Sequence, residues 1–155
     1  MNDEQLRDFG VLAITEPHIR RQGDTLVIVP TRHSNWTRMM PTMQAEGRWA
    51  VRSMLWVRKD LEAEQVAVES SDVTAAVLRL PDRAVLVVSV YVPCHDAEAL
   101  RKTVGLLRRV INKVRNQEAG RTDVVLAGYF NRHDELWGGD NILPTRQGRR
   151  TQSSI

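Results

Sequence analysis

Short apolar runs separated by proline, glycine and charged residues fill much of the chain, and each run predicts a β-strand. The runs cover residues 10–15, 26–29, 49–57, 73–80 and 84–92. Pro81, Asp82 and Arg83 lie between the last two runs and predict a hairpin turn. The run at 84–92 is nearly continuous in apolar residues, which is typical of a central strand covered on both faces.

A longer period follows between residues 97 and 118, where apolar residues recur at alternating spacings of four and three. This spacing predicts an amphipathic helix with one apolar stripe. Asp96 is suited to cap the N-terminus of this helix, and Gly120 to stop its C-terminus. The opposite face is basic, and we interpret its charges as solvent-exposed. The stripe consists of Leu100, Val104, Leu107, Ile111 and Val114.

The helix leads directly into residues 123–127, which predict a further buried strand. A hairpin, a crossover helix and another strand together predict an α/β layer protein with a mixed sheet. Residues 1–140 are predicted to form one domain, and residues 141–155 an irregular and disordered basic tail.

Composition places the chain among globular proteins of one domain, because it has 155 residues of which 42% are hydrophobic and 26% charged. No apolar run approaches the roughly 18 residues that cross a bilayer, and the charged start of the chain predicts no signal peptide. The single Cys94 fits a reducing compartment. We therefore expect an intracellular protein, nuclear or cytoplasmic, that is not secreted and has no membrane partner.

The net charge of +3 is unevenly distributed. Lysine and arginine are concentrated in residues 101–115, and the tail carries Arg146, Arg149 and Arg150 without an acid. A basic surface of this kind attracts phosphate, but a charge of this size does not by itself identify a nucleic-acid-binding protein.

Polar residues that could carry chemistry lie at the ends of predicted strands, where α/β proteins place their sites. Glu16 is either a solvated loop residue or a Mg²⁺ ligand. Tyr91 is either a buried aromatic residue or a hydrogen-bond donor to phosphate. Asn131 and His133 are either structural residues of a turn or members of a site. The sequence has no zinc ligand set, no phosphate-binding Gly-Lys-Ser/Thr loop and no catalytic triad.

Four segments occur in an order that resembles one enzyme family. The segments are residues 13–19, 52–59, 89–93 and 126–133, the last followed by Trp137 and two glycines. Residues 128–131, Gly-Tyr-Phe-Asn, are similar to the Gly-Asp-Phe-Asn motif of the endonuclease/exonuclease/phosphatase family, the deoxyribonuclease I-like phosphodiesterases. Over residues 8–140 the chain most resembles the apurinic-endonuclease-like domain of non-LTR retrotransposons.

The resemblance implies a fold, a reaction and a set of site residues. The fold would be an α/β sandwich of two mixed β-sheets flanked by helices. Glu16 would hold Mg²⁺, while Tyr91 and Asn131 would contact the scissile phosphate. Tyr129 stands where the family has the aspartate that orients or deprotonates the attacking water. The reaction would be Mg²⁺-dependent nicking of DNA, and the full-length retroelement protein would also contain a reverse transcriptase domain.

The same resemblance implies an impaired, incomplete domain. The family's opening strand has no counterpart ahead of Glu16, and its closing strands have none after Asn141. A phenol is neutral at pH 7, whereas a carboxylate is an anion that accepts a proton. With Tyr129 in the place of the motif aspartate, we expect a pseudoenzyme.

Two alternatives to an endonuclease stay open. The chain could be a non-catalytic remnant that binds nucleic acid weakly through the arginines of the helix and the tail. It could also be a family member that acts on a phosphoinositide or sphingolipid, although Asn131, Arg132, His133 and Trp137 resemble the retroelement versions.

Overall fold

The computed structural model of the protein describes residues 6, 8–22, 25–28, 33–43, 51–93 and 96–131, with the backbone alone for 19–22 and 25–28. The predicted tail at 141–155, His133, Trp137 and the start of the predicted strand at 49–57 lie outside the described residues. The elements in chain order are β1 (Val11–Thr15), β2 (Ile19–Gln22), β3 (Thr25–Ile28), β4 (Trp36–Met39), β5 (Ser53–Arg58), β6 (Ala63–Val66), β7 (Val73–Arg79), β8 (Ala84–Tyr91), α1 (Ala97–Gln117) and β9 (Thr122–Tyr129).

Most strands belong to one of two sheets. The first sheet is antiparallel and has the order β1-β5-β4. The second sheet has the order β6-β7-β8-β9 and is mixed, because α1 carries the chain over the sheet so that β9 runs parallel to β8. Strands β2 and β3 form a separate antiparallel pair. The predicted α/β sandwich is thus confirmed, with the parallel pairing confined to the second sheet.

The second sheet lies between the helix and the first sheet, and the alternation of side chains along β7 shows how. Val73, Ala75 and Val77 pack into a core with Leu107, Val110 and Val114 of α1. The intervening residues of β7 point to the other face, where Ala76 and Leu78 pack with Leu55 and Val57 of β5. Both faces of β8 are covered in the same way, which confirms the prediction of a central strand. Strands β7 and β8 therefore pack against α1 on one face and against the first sheet on the other.

Helix α1 has nearly the predicted bounds, but its C-terminal cap and one residue of its apolar stripe differ from the prediction. The Asp96 side chain accepts a hydrogen bond of 2.8 Å from the backbone N–H of Ala99, so the N-cap prediction is confirmed. Val104 of the predicted stripe is 42% exposed. The helix is capped at Glu118, whose N–H bonds to the carbonyl of Val114, so the prediction that Gly120 stops the helix is wrong. Among the described residues, no helix is long and apolar enough to cross a membrane.

Strand β9 is the main correction to the predicted fold. It was expected to be buried, but Val125 is 47% exposed and Leu126 44%. Strand β9 pairs with β8 on one edge only. Within the described part of the chain no strand pairs with its other edge. Strands β2, β4 and β6 were not predicted because each is only four residues long and lacks an apolar run.

A buried hydroxyl pair joins the two sheets near the end of β5. The Ser53 and Thr74 hydroxyl oxygens are 3.1 Å apart, and Thr74 also donates to the Ser53 carbonyl at 3.1 Å. Both side chains are fully buried. The Ser53 hydroxyl therefore depends on Thr74 in a place where water cannot replace it.

We expect Thr74→Val to lower the free energy of unfolding by about 1–3 kcal/mol, because it leaves the buried Ser53 hydroxyl without a partner. The double variant Ser53→Ala/Thr74→Val should lose clearly less than the sum of the single variants, because no unpaired hydroxyl remains. Urea denaturation of all four proteins measures this coupling. Strict additivity would show that the two hydroxyls do not stabilise each other.

Strand β9 approaches β8 so closely at one point that only glycine fits. Gly128 lies opposite Val90 in the parallel register. Its φ is 155°, and a Cβ atom there would collide with the Val90 carbonyl oxygen. This contact explains the glycine of the Gly-Tyr-Phe-Asn segment in physical terms.

We expect Gly128→Ala to lower the free energy of unfolding by about 3 kcal/mol, from the disfavoured backbone angle and the displacement of β9 from β8. The matched control is Gly120→Ala, where an added Cβ has no atom within 4 Å. That change should stay within about 0.5 kcal/mol. Thermal or urea unfolding compares the two, and equal effects would contradict the argument.

Candidate functional site

The four residues predicted for the site lie at one edge of the sandwich. Glu16 follows the last residue of β1, Tyr91 ends β8, Tyr129 ends β9, and Asn131 follows two residues later. Because β8 and β9 are parallel, Tyr91 and Tyr129 lie opposite each other in the register. Their ring centroids are 6.3 Å apart at an interplanar angle of 49°. Three segments that are well separated in sequence, at positions 16, 91 and 129–131, thus converge.

Tyr91 is the centre of this cluster. The Glu16 carboxylate and the Asn131 side chain lie near enough to its hydroxyl to shift its pKa. Burial raises the pKa of Tyr91, and the negative charge of Glu16 raises it further, while the Asn131 hydrogen bond and the Arg52 charge oppose these effects. The Tyr91 phenol therefore stays protonated at neutral pH and can donate a hydrogen bond.

The backbone at Glu16 and Asn131 is unusual. The φ angles are 49° and 50°, and these two are the non-glycine residues with positive φ within the described ranges. Asparagine tolerates this left-handed region, but glutamate seldom adopts it. The Glu16 N–H bonds to the Arg52 carbonyl at 2.9 Å, and the Asn131 amide donates to the Val92 carbonyl at 2.6 Å. Strained residues of this kind concentrate at functional sites, where the surrounding contacts hold them.

Arg52 and Asp72 also belong to the cluster, although the sequence did not single them out. The Arg52 guanidinium donates to both carboxylate oxygens of Asp72, at 2.6 and 2.7 Å. It also lies over the Tyr91 ring, 5.0 Å from the centroid. The only sequence signal was a charged residue just before each of two strands, which is common in loops. Their partnership across 20 positions is a consequence of the fold.

Tyr129 differs from its neighbours in exposure and contacts. It is 44% exposed, whereas Tyr91 is partly buried. Its backbone carbonyl accepts a hydrogen bond of 2.9 Å from Val92, which fixes the end of β9 against the end of β8. The side chain at position 129 thus lies beside the Tyr91 phenol on the solvent side of the cluster.

The described residues offer limited means of holding a metal ion. Within the described ranges, no three acidic, histidine or cysteine side chains come together as a metal-binding group. Glu16 provides one carboxylate, while Asp72 is bound by Arg52. This donor set fits Mg²⁺ only if water and phosphate oxygens supply most of its ligands, which is common for this ion.

A groove of about 710 Å³ adjoins the cluster at Asp72. It runs between the loop at residues 69–72 and the first turns of α1. Ser70, Ser71, Arg101 and Arg109 are among the residues that line it. Within the described part of the chain neither of these two arginines has an ion-pair partner, although Lys102 nearby pairs with Glu98 at 2.7 Å. The groove therefore offers two available cations and two hydroxyls next to the cluster.

His133, which the sequence assigns either to a turn or to the site, lies outside the described residues.

The chain is similar in structure to a known nuclease domain. No protein-family model matches it, and no curated protein matches it in sequence. Among solved structures it is similar to the endonuclease domain of TRAS1, a telomere-specific non-LTR retrotransposon, with a TM-score of 0.63 and 18% sequence identity. The alignment covers 88% of this chain and 54% of that one, so the chain spans about half the length of the TRAS1 domain. The chain therefore has the α/β-sandwich fold of a retrotransposon endonuclease domain, as its sequence motifs predicted.

Proposed function

We propose that this chain is a DNA-binding domain of the endonuclease type in which phosphodiester hydrolysis is impaired. The observation that carries the proposal is the convergence of Glu16, Asn131 and the protonated Tyr91 phenol at one edge of the sandwich. The likeness to the TRAS1 endonuclease domain supports DNA as the substrate class. The context we propose is a retroelement protein that also contains a reverse transcriptase domain and works in the nucleus or cytoplasm.

The chemistry of the cluster suits a phosphate group. Hydrolysis of a phosphodiester builds negative charge on the phosphoryl oxygens, and fixed hydrogen-bond donors stabilise that charge. The Tyr91 hydroxyl and the Asn131 amide are two such donors, held by a partly buried setting. Glu16 would hold Mg²⁺, which supplies further positive charge when it is bound. The Tyr91 hydroxyl that now meets Glu16 would then be available to a phosphate oxygen.

Tyr129 is the reason for the proposed impairment. Its position beside Tyr91 is suited to a group that orients or deprotonates a water molecule. A neutral phenol cannot take that proton, because it would first have to lose its own. The loss of a general base typically lowers a rate by about 10²- to 10⁴-fold.

A second candidate function is binding of nucleic acid without catalysis. The groove beside the cluster favours it, since Arg101 and Arg109 lie there as unpaired cations within the described part of the chain. Phosphate contacts of this kind give affinity without sequence preference.

We expect the Tyr129→Asp variant to nick supercoiled plasmid in the presence of Mg²⁺ at least about 10²-fold faster than the wild type, because it restores a carboxylate beside Tyr91. Gel electrophoresis of the relaxed product measures the rate. Tyr129→Phe is the matched control, since it removes the hydroxyl without adding a carboxylate, and it should not gain activity. Adding Glu16→Ala to Tyr129→Asp should abolish the gain.

Two results would contradict the proposed impairment. Nicking by the wild type that disappears in Glu16→Ala would show that Tyr129 does not disable the site. An unchanged rate in Tyr129→Asp would show that the defect lies elsewhere, and it would favour binding without catalysis.

We expect DNA binding to weaken steeply with salt, because phosphate contacts release counterions. Replacing Arg109 in the groove with glutamine should reduce the slope of log K against log salt by about one. The control is Arg115→Gln, which removes the same charge near the other end of α1. Fluorescence anisotropy with a labelled oligonucleotide measures both slopes. Equal slopes for the two variants would exclude the groove as the path of the DNA backbone.

A further inference from the structure

Tyr91 and three neighbouring residues form a ring of contacts. The Glu16 N–H donates to the Arg52 carbonyl at 2.9 Å, and the Arg52 guanidinium donates twice to the Asp72 carboxylate. The Tyr91 N–H donates to the Asp72 carbonyl at 2.9 Å. The Glu16 carboxylate completes the ring, since it lies near enough to the Tyr91 hydroxyl to raise the pKa of that group. The ring connects the end of β1, the segments just before β5 and β7, and the end of β8.

The Arg52–Asp72 pair is the rigid side of this ring. Its two parallel hydrogen bonds fix the plane of the guanidinium, as one bond could not. The side chains are 26% and 18% exposed, so water screens the pair less than it screens an ordinary surface pair. Both backbones are also tied, Arg52 to Glu16 and Asp72 to Tyr91. The pair therefore holds its place relative to the site.

The fixed guanidinium lies against the face of the Tyr91 ring. The distance from the Arg52 Cζ atom to the ring centroid is 5.0 Å, which is within the range of cation–π contacts. Tyr129 approaches the same ring, and Glu16 and Asn131 meet its hydroxyl. These contacts leave the ring little freedom to rotate.

We propose that Arg52, held by Asp72, is a positioning residue that fixes the plane of the Tyr91 ring and so determines the direction in which the hydroxyl, whose O–H bond lies in that plane, can donate to a phosphate oxygen. The benefit for phosphate binding rests on the proposed function, whereas the fixing of the ring does not. A purely structural role would connect the segments just before β5 and β7 without restricting Tyr91. The two roles therefore differ in what they predict for the motion of one side chain.

The motion of the Tyr91 ring tests the proposal directly. The chain contains two tyrosines, so ring-labelled tyrosine gives two sets of NMR signals, which Tyr129→Phe assigns. In the wild type, the Tyr91 ring should rotate more slowly than the more exposed Tyr129 ring. Arg52→Lys keeps the charge but loses the planar pair of hydrogen bonds, and it should speed Tyr91 rotation by about tenfold. Asp72→Asn should act in the same direction, because it removes the charge that holds the guanidinium.

The matched control is Arg58→Lys at the other end of β5. Arg58 pairs with Asp60 at 2.6 Å on the surface, away from Tyr91, so this variant should leave the Tyr91 signals unchanged. If the two tyrosine rings rotate equally fast in the wild type, the proposal is overturned. This comparison needs no variant of Arg52 or Asp72, so it holds even if such a variant fails to fold. Unchanged Tyr91 signals in folded Arg52→Lys and Asp72→Asn would also overturn it. DNA affinity, measured on the same proteins, tests the proposed function separately. If the Tyr91 ring rotates slowly but the protein does not bind DNA, the proposed function is contradicted and the positioning role of Arg52 is not.

Discussion

The parallel pairing of β8 with β9 is the constraint on which the candidate site depends. It places Tyr91 opposite Tyr129 and brings Asn131 to the Tyr91 hydroxyl. The pairing in turn requires glycine at position 128, where the carbonyl of Val90 leaves no room for a side chain. Helix α1 makes the pairing parallel, because it returns the chain to the starting end of β8. The geometry of the site is thus set by a backbone contact that directly precedes its two tyrosines.

Most of the central fold could be predicted because its elements carry strong local patterns. The hairpin of β7 and β8 and the N-terminus of α1 follow from apolar runs, a turn and a capping aspartate. The burial of β9 could not be predicted, because an apolar strand has the same sequence whether it is covered or lies at an edge. The short strands β2, β4 and β6 could not be predicted because four residues are too few to show a period, and each strand is stabilised by pairing with the next one in the chain.

The site was only partly readable from the sequence, for a related reason. Glu16, Tyr91 and Asn131 were found through motifs, and the structure brings them together, although their roles stay proposals. Arg52 and Asp72 were missed because a contact between two loops leaves no pattern in either segment. The backbone strain at Glu16 was also invisible, since φ depends on the surrounding hydrogen bonds rather than on residue type alone.

The strain at Glu16 sets stability and side-chain chemistry against each other at one position. Glutamate in the left-handed region costs stability, whereas glycine or asparagine would occupy the same backbone with less strain. Either replacement would relieve the backbone after β1 and would also remove the carboxylate near the Tyr91 hydroxyl. The residue that stabilises the fold most at position 16 is therefore one without a carboxylate.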